Sequence, residues 1–74
     1  MERYNLPIVI QKDEDWYYAY CPELQGCYTQ GETYEEALSN LKDAMALHIQ
    51  HLLAQGETVP QPEILNIATL EVAV

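Results

Sequence analysis

Few residues in this chain of 74 have both the type and the spacing for chemistry. Cys21 and Cys27 bracket the run Cys-Pro-Glu-Leu-Gln-Gly-Cys, and His48 and His51 lie three apart on a helical pattern. Zinc sites need a second Cys or Cys/His pair at matched spacing, and none accompanies these cysteines. No Asp, Glu or Cys is placed beside the histidines by the pattern either. Two-metal hydrolysis needs clustered carboxylate oxygens. The candidates are Glu35, Glu36 and Glu71, but the first two read as a helix cap and a solvated helix face. The first strand carries no acid. No orienting acid completes a Ser-His-Asp or Cys-His arrangement, and no glycine-rich phosphate loop is present. The expectation is a protein without cofactor or metal and without enzymatic activity. A metal-dependent nuclease remnant using Glu35, Glu36 and Glu71 stands as a minor alternative.

Charge narrows the partners. Twelve acidic residues face only Arg3, Lys12 and Lys42, for a formal net charge of −9. Nucleic-acid affinity rests on Lys and Arg neutralising phosphates, so direct nucleic-acid binding is not expected. A strong field of one sign steers molecules of the other, which points to a basic protein. The same acidity also keeps a small domain soluble. The start Met-Glu-Arg-Tyr-Asn lacks the apolar core of a signal peptide, and no apolar run approaches the ~20 residues that cross a bilayer. With the cysteines read as reduced buried thiols, the expected location is cytoplasmic.

The elements that would position these residues follow from periodicity. Tyr4, Leu6, Ile8 and Ile10 alternate with Asn5, Pro7, Val9 and Gln11, a strand from Tyr4 to Gln11 that Pro7 makes imperfect. The polar run Lys12 to Asp15 is a hairpin connection, and Trp16 to Cys21 return as a second strand that Pro22 stops. A brief third strand follows from Cys27 to Gln30. Gly31 comes next, and a glycine there is free to take positive φ. Thr33 and Glu36 match a capping box. From Tyr34 to Ala54 one helix presents a stripe of Tyr34, Leu38, Leu41, Met45, Ile49 and Leu52 toward the sheet, flanked by Ala37, Ala44 and His48. Gly56 lies just past its end. Thr58 to Pro62 is an extended linker. Ile67, Thr69, Glu71 and Ala73 then alternate with Ala68, Leu70, Val72 and Val74, which predicts a fourth strand.

The order β-β-β-α-β predicts one α+β domain over residues 1–74. Its expected sheet is mixed and four-stranded, in order 3-2-1-4, with the helix on one face by a right-handed crossover. One helix cannot cover both faces of a sheet. Trp16, Tyr18 and Tyr20 point to one side, and Tyr17, Ala19 and Cys21 to the other. An uncovered aromatic face marks an interaction surface. The predicted protein-binding residues are Trp16, Tyr17, Tyr18, Tyr20 and Tyr28 with the nearby acids Asp13, Glu14, Asp15 and Glu23. Tyrosines that merely rim a small core with their hydroxyls wet are the plainer explanation. A chain this short also has a modest core, about 3–5 kcal/mol on its own, and self-association is the remaining route to added stability.

The stretch Trp16-Tyr17-Tyr18-Ala19-Tyr20-Cys21-Pro22-Glu23-Leu24-Gln25-Gly26-Cys27 resembles the HicB antitoxin family. The likeness continues through Tyr28-Thr29-Gln30-Gly31-Glu32-Thr33 to Glu35-Glu36-Ala37-Leu38, and Val59-Pro60-Gln61-Pro62 is similar as well. The resemblance implies a partial ribonuclease-H-like fold that dimerises or forms higher oligomers. It implies an antitoxin that neutralises a HicA-type toxin, a small basic RNA-cleaving protein. It also implies a single-domain member lacking the C-terminal DNA-binding segment of many relatives. An orphan homo-oligomer without a toxin partner is the alternative.

Overall fold

The computed structural model describes residues 2–74. Three short strands come first, β1 (Val9–Lys12), β2 (Tyr17–Tyr20) and β3 (Tyr28–Gly31), followed by one helix, α1 (Tyr34–Ala54). The strands make a single antiparallel sheet in the order β1-β2-β3. β1 pairs with β2 from Val9↔Tyr20 to Lys12↔Tyr17, and β2 pairs with β3 from Tyr17↔Gly31 to Tyr20↔Tyr28.

This corrects the expected architecture. The sheet has three strands rather than four, it is antiparallel rather than mixed, and residues 67–74 form no strand. Without a parallel strand beside β1, neither the order 3-2-1-4 nor a partial ribonuclease-H-like topology describes the fold. Alternation says which side chains share a face, but a strand also needs a ladder partner and a surface to pack on. The tail has neither: Leu70 is 88% exposed and Val72 72% exposed. The first strand is shorter than its alternation suggested for a related reason. Its partner β2 ends at Tyr20, just before Cys21 and Pro22, so residues 4–8 have nothing to pair with.

The helix begins and ends where its caps dictate. The Thr33 side chain accepts a hydrogen bond from the Glu36 N–H at 3.0 Å, and the Glu36 carboxylate accepts from the Glu32 N–H at 3.2 Å. The box is thus closed one residue upstream of its usual return position on the N-cap. At the other end the Glu57 N–H donates to the Leu52 carbonyl and the Gly56 N–H to the Leu53 carbonyl. With Gly56 at φ 74, this is a Schellman cap that satisfies the last carbonyls.

Gly31 acts differently from expectation. Positive φ among the described residues belongs to Gly26 and Gly56, not to Gly31. A Cβ at Gly31 would lie 2.6 Å from the backbone nitrogen of Ala37 and 3.0 Å from Glu36 atoms. The missing side chain is what lets the first turn of α1 lie directly on β3. Two side-chain bonds hold that contact: the Thr29 hydroxyl donates to the Ala37 carbonyl at 3.3 Å, and the Asn40 amide donates to the Gln30 carbonyl at 3.0 Å.

Under this contact sits a small core of Ala19, Cys21, Leu24, Cys27, Ala37 and Leu41, with Leu6, Ile8, Ile10, Tyr17, Ala44, Met45, Ile49 and Leu52 packed around it. Val59, after the helix, is the last buried residue of the chain. The predicted helical stripe is only partly used, since Tyr34 is 49% and Leu38 37% exposed. The helix lies mainly against β3 and β2 and touches β1 least, so its β1-side flank is left open.

Gly31→Ala is expected to cost about 1–3 kcal/mol, because the added methyl forces the helix off the strand. Thr33→Ala is expected to cost about 0.5–2 kcal/mol through loss of the cap. Urea denaturation followed by far-ultraviolet circular dichroism measures both. A Gly31→Ala midpoint equal to the parent's would show that the helix does not depend on this approach.

Candidate protein-binding face

Cross-strand partners in an antiparallel sheet share a face. The register therefore puts Ile10, Ala19 and Thr29 under the helix and groups Val9, Tyr20 and Tyr28 in one row on the opposite face. Gln11, Tyr18 and Gln30 form a second row beside it. Among the described residues no element covers this outer face. Tyr28 is 74% exposed, Tyr18 is exposed and Tyr20 half-buried.

Past the end of the rows the chain makes a closed loop from Cys21 to Cys27. The Cys21 N–H donates to the Cys27 carbonyl, the Leu24 N–H to the Cys21 carbonyl and the Cys27 N–H to the Leu24 carbonyl, all at 3.1–3.2 Å. Gly26 takes φ 77 to complete the turn, and Leu24 is tucked into the core. Between this loop and the tyrosines lies a shallow hollow of about 350 Å³, with Tyr18, Tyr20, Pro22, Gln25 and Tyr28 among its walls. Aromatic rings around a shallow hollow make a surface for another protein's side chains rather than a reaction chamber.

The acidic corner is built by the β1–β2 turn. The Asp13 carboxylate accepts from the backbone N–H groups of Asp15 at 2.9 Å and Trp16 at 2.8 Å, and the Asp13 N–H donates to the Trp16 carbonyl at 3.0 Å. This Asx turn is what an Asp at the head of a tight connection does best. Those donors, Trp16 first and Asp15 second, hold the Asp13 carboxyl below the ordinary aspartate range. Tyr18 is linked to the same corner. Its phenol is pushed up chiefly by the nearby Asp13 carboxylate, and then by desolvation and the charges of Asp13 and Asp15. Asp13, Glu14 and Asp15 are all exposed, and Trp16 beside them is 37% exposed.

The predicted residues are thus divided between the two sides of the sheet. Tyr18, Tyr20 and Tyr28 stand together on the outer face, with Asp13, Glu14, Asp15 and Trp16 at one end and Glu23, half-buried, in the loop at the other. Tyr17 lies on the helix side, where it packs on the core and the Lys12 ammonium sits 5.5 Å from its ring centroid. Sequence reading missed Val9, Gln11 and Gln30, which the register alone brings beside the tyrosines. It also missed Pro22 and Gln25, for which closure of the loop is decisive and no local signal exists.

The other chemical candidates are dispersed. Cys21 and Cys27 are free and buried, and burial pushes the Cys27 thiol up, with a smaller contribution from Cys21. A raised thiol pKa suppresses the thiolate that nucleophilic or metal chemistry needs. Among the described residues no group of three or more His, Cys, Asp or Glu side chains converges on a metal-sized site. Glu36 is engaged in the helix cap, and Glu71 lies in the exposed tail. Among the described residues, no helix is long and apolar enough to cross a membrane.

Fold and face together define a small α+β domain whose exposed features are suited to contact rather than catalysis. The model of the HicB_like antitoxins of bacterial toxin-antitoxin systems matches residues 6–72, and the chain belongs to that family. A UPF0150 protein of Synechocystis is 40% identical over 63 residues, covering 84% of this chain and 80% of the relative. One from Helicobacter pylori is 43% identical over 65 residues, covering 88% and 90%. Among solved structures, a chain of a HicA3 and HicB3 toxin-antitoxin complex is 33% identical with a TM-score of 0.61. The match covers 77% of this chain and 66% of that one, so this chain spans about two thirds of its length.

The Asp13 turn has a pH signature. Because the folded carboxyl titrates below its unfolded value, its contribution is complete above the ordinary aspartate range and is lost as pH falls through the lowered value. Asp13→Asn keeps an acceptor for the turn and removes the titration. It is expected to melt below the parent at pH 7, where the charge contributes, and to lose less melting temperature than the parent between pH 5 and pH 2, so that the two converge in acid. Equal acid sensitivity of the two proteins would show that the Asp13 charge does not support the turn.

Proposed function

We propose that this chain is the inhibitory half of a toxin–antitoxin pair. It binds and neutralises a small basic, RNA-cleaving HicA-type toxin, has no catalytic activity of its own, and also associates with itself. The observation that carries the reading is the family match across residues 6–72. The likeness to a chain of a HicA3 and HicB3 toxin-antitoxin complex supports the partner class. The physical features agree: a net charge of −9 attracts a basic partner and speeds encounter, and the uncovered tyrosines offer anchors of the kind that dominate interfaces.

In this reading Tyr18, Tyr20 and Tyr28 bury against the toxin while Asp13, Glu14, Asp15 and Glu23 meet its cations at the rim. Trp16 extends the apolar contact at the turn end, and Tyr17 contributes from beneath by holding β2 against the core. Inhibition follows if the bound chain occupies the surface with which the toxin grips RNA, since an acidic face competes directly with phosphate for the same lysines and arginines.

Co-expression with the short basic protein encoded beside it is the decisive experiment. A stable complex and loss of RNA cleavage are expected. Failure to bind any such protein, or binding that leaves cleavage intact, overturns the proposal, and self-association without a toxin would leave an orphan oligomer. Within a complex, Tyr28→Ala is expected to weaken binding by about tenfold or more, in the range of an interface anchor. Glu14→Lys with Asp15→Lys leaves the Asp13 acceptor in place. It is expected to slow association at low salt and to flatten its salt dependence, measured by surface plasmon resonance.

A further inference from the structure

The two thiols at the base of the closed loop have no part in the proposed function. Cys21 and Cys27 are free, only 2% and 6% exposed, and belong to the same core cluster. They stand opposite each other. The β2–β3 register runs out at Tyr20↔Tyr28, so the next pair along is Cys21 and Cys27, and the Cys21 N–H donates to the Cys27 carbonyl at 3.1 Å. Side chains two residues apart on a strand share a face, which puts both cysteines on the helix side with Ala19 and Thr29. The charge of Cys21 also contributes to pushing the Cys27 thiol up, as it would for neighbouring sulfurs.

The backbone spacing suits a disulfide. Opposed residues at a hydrogen-bonded position have Cα atoms about 5.5 Å apart, within the roughly 4.4–6.8 Å that a disulfide spans. Their Cβ atoms, about 5 Å apart in such pairs, must close to about 4 Å. The loop can yield by that much because only one of the two possible ladder bonds is made: the Cys27 N–H donates to the Leu24 carbonyl instead. Pro22 and Gln25, carried between the cysteines, wall the hollow beside Tyr18, Tyr20 and Tyr28. A pull on the base of the loop is therefore passed to the aromatic face.

We propose that Cys21 and Cys27 form a dithiol–disulfide switch, in which a low-molecular-weight disulfide such as oxidised glutathione closes an intrachain bond that reshapes the hollow, and thiols reopen it. Cys27, the more exposed of the two, reacts first. Its thiolate attacks one sulfur of glutathione disulfide, forming the Cys27–glutathione bond, breaking the glutathione disulfide and expelling one glutathione thiolate. The Cys21 thiolate then attacks the Cys27 sulfur and expels the second. The two protons lost by the cysteines end on the two released glutathiones. Burial keeps the Cys27 thiolate scarce in the closed loop, so the exchange proceeds when the loop opens locally. The approach of the Cβ atoms stores strain in the product, which makes it easily reduced again. Any effect on toxin binding rests on the proposed function; the thiol chemistry does not.

The test incubates the full chain with oxidised glutathione under native conditions. Loss of both free thiols is expected, with a mass lower by two hydrogens, no cross-linked chains on a non-reducing denaturing gel, and native far-ultraviolet circular dichroism. The Tyr20 and Tyr28 ring resonances are expected to shift, and dithiothreitol to restore the starting spectrum. Cys21→Ser is expected to stop at a glutathione adduct on Cys27. Thiols that stay free in the folded chain and oxidise only in urea overturn the switch, as does a product cross-linked between chains or one that has lost its native circular dichroism. Ring resonances unmoved by oxidation overturn the reshaping of the hollow. None of these readouts uses a toxin, so a chain that binds none would leave their outcome unchanged.

Discussion

The arrangement depends on one close approach, that of the helix backbone at Ala37 to Gly31. A Cβ at residue 31 would be 2.6 Å from the Ala37 nitrogen, so only glycine lets the helix start in contact with β3. Because β3 is an edge strand, a helix fixed there sits off the centre of the sheet. The two uncovered surfaces of the sheet and helix follow from that placement. The outer face has no cover because there is one helix, and the β1 flank has little cover because the helix leans toward the other edge.

Such a fold is short of buried surface. Leu41 is the one large side chain among the described residues that is almost wholly excluded from solvent, and most of the rest of the core is Ala and Cys with Leu24. Small domains of this kind depend on local bonds to fix what packing cannot. The caps at Thr33 and Gly56, the Asx turn at Asp13 and the closed Cys21–Cys27 loop are those bonds here. The same poverty of burial makes association with other chains thermodynamically useful, since apolar area that the domain cannot hide itself is available to a partner.

Electrostatics then separates the two exposed regions. The outer face ends in the three carboxylates of the β1–β2 turn, whereas the groove between the N-terminal segment and the helix mixes Glu2 and Glu35 with Arg3 and Lys42. A chain of net charge −9 repels its own copies over most of its surface. The acidic end of the aromatic face is where the field draws a cationic group most strongly.

Local features were legible in the sequence because each is set by residues adjacent along the chain. The helix from Tyr34 to Ala54, its Thr33 and Gly56 boundaries, the hairpin connection read over Lys12 to Asp15, of which Lys12 proves to be the end of β1, and the separation of Tyr18 from Tyr17 all follow from period, capping and turn chemistry. The family likeness was legible for the same reason, being carried by a continuous stretch from Trp16 to Leu38. What depends on distant residues was decided only by the tertiary structure. The alternating run at residues 67–74 has every local property of a strand, yet pairing needs an edge and a hydrophobic surface brought to it, and neither is a property of the run itself. Gly31 likewise looks like a turn residue until the helix is seen lying on it, and Val9, Gln11 and Gln30 join the tyrosines only through the pairing register. Periodicity fixes which way a side chain points; only packing fixes what it meets.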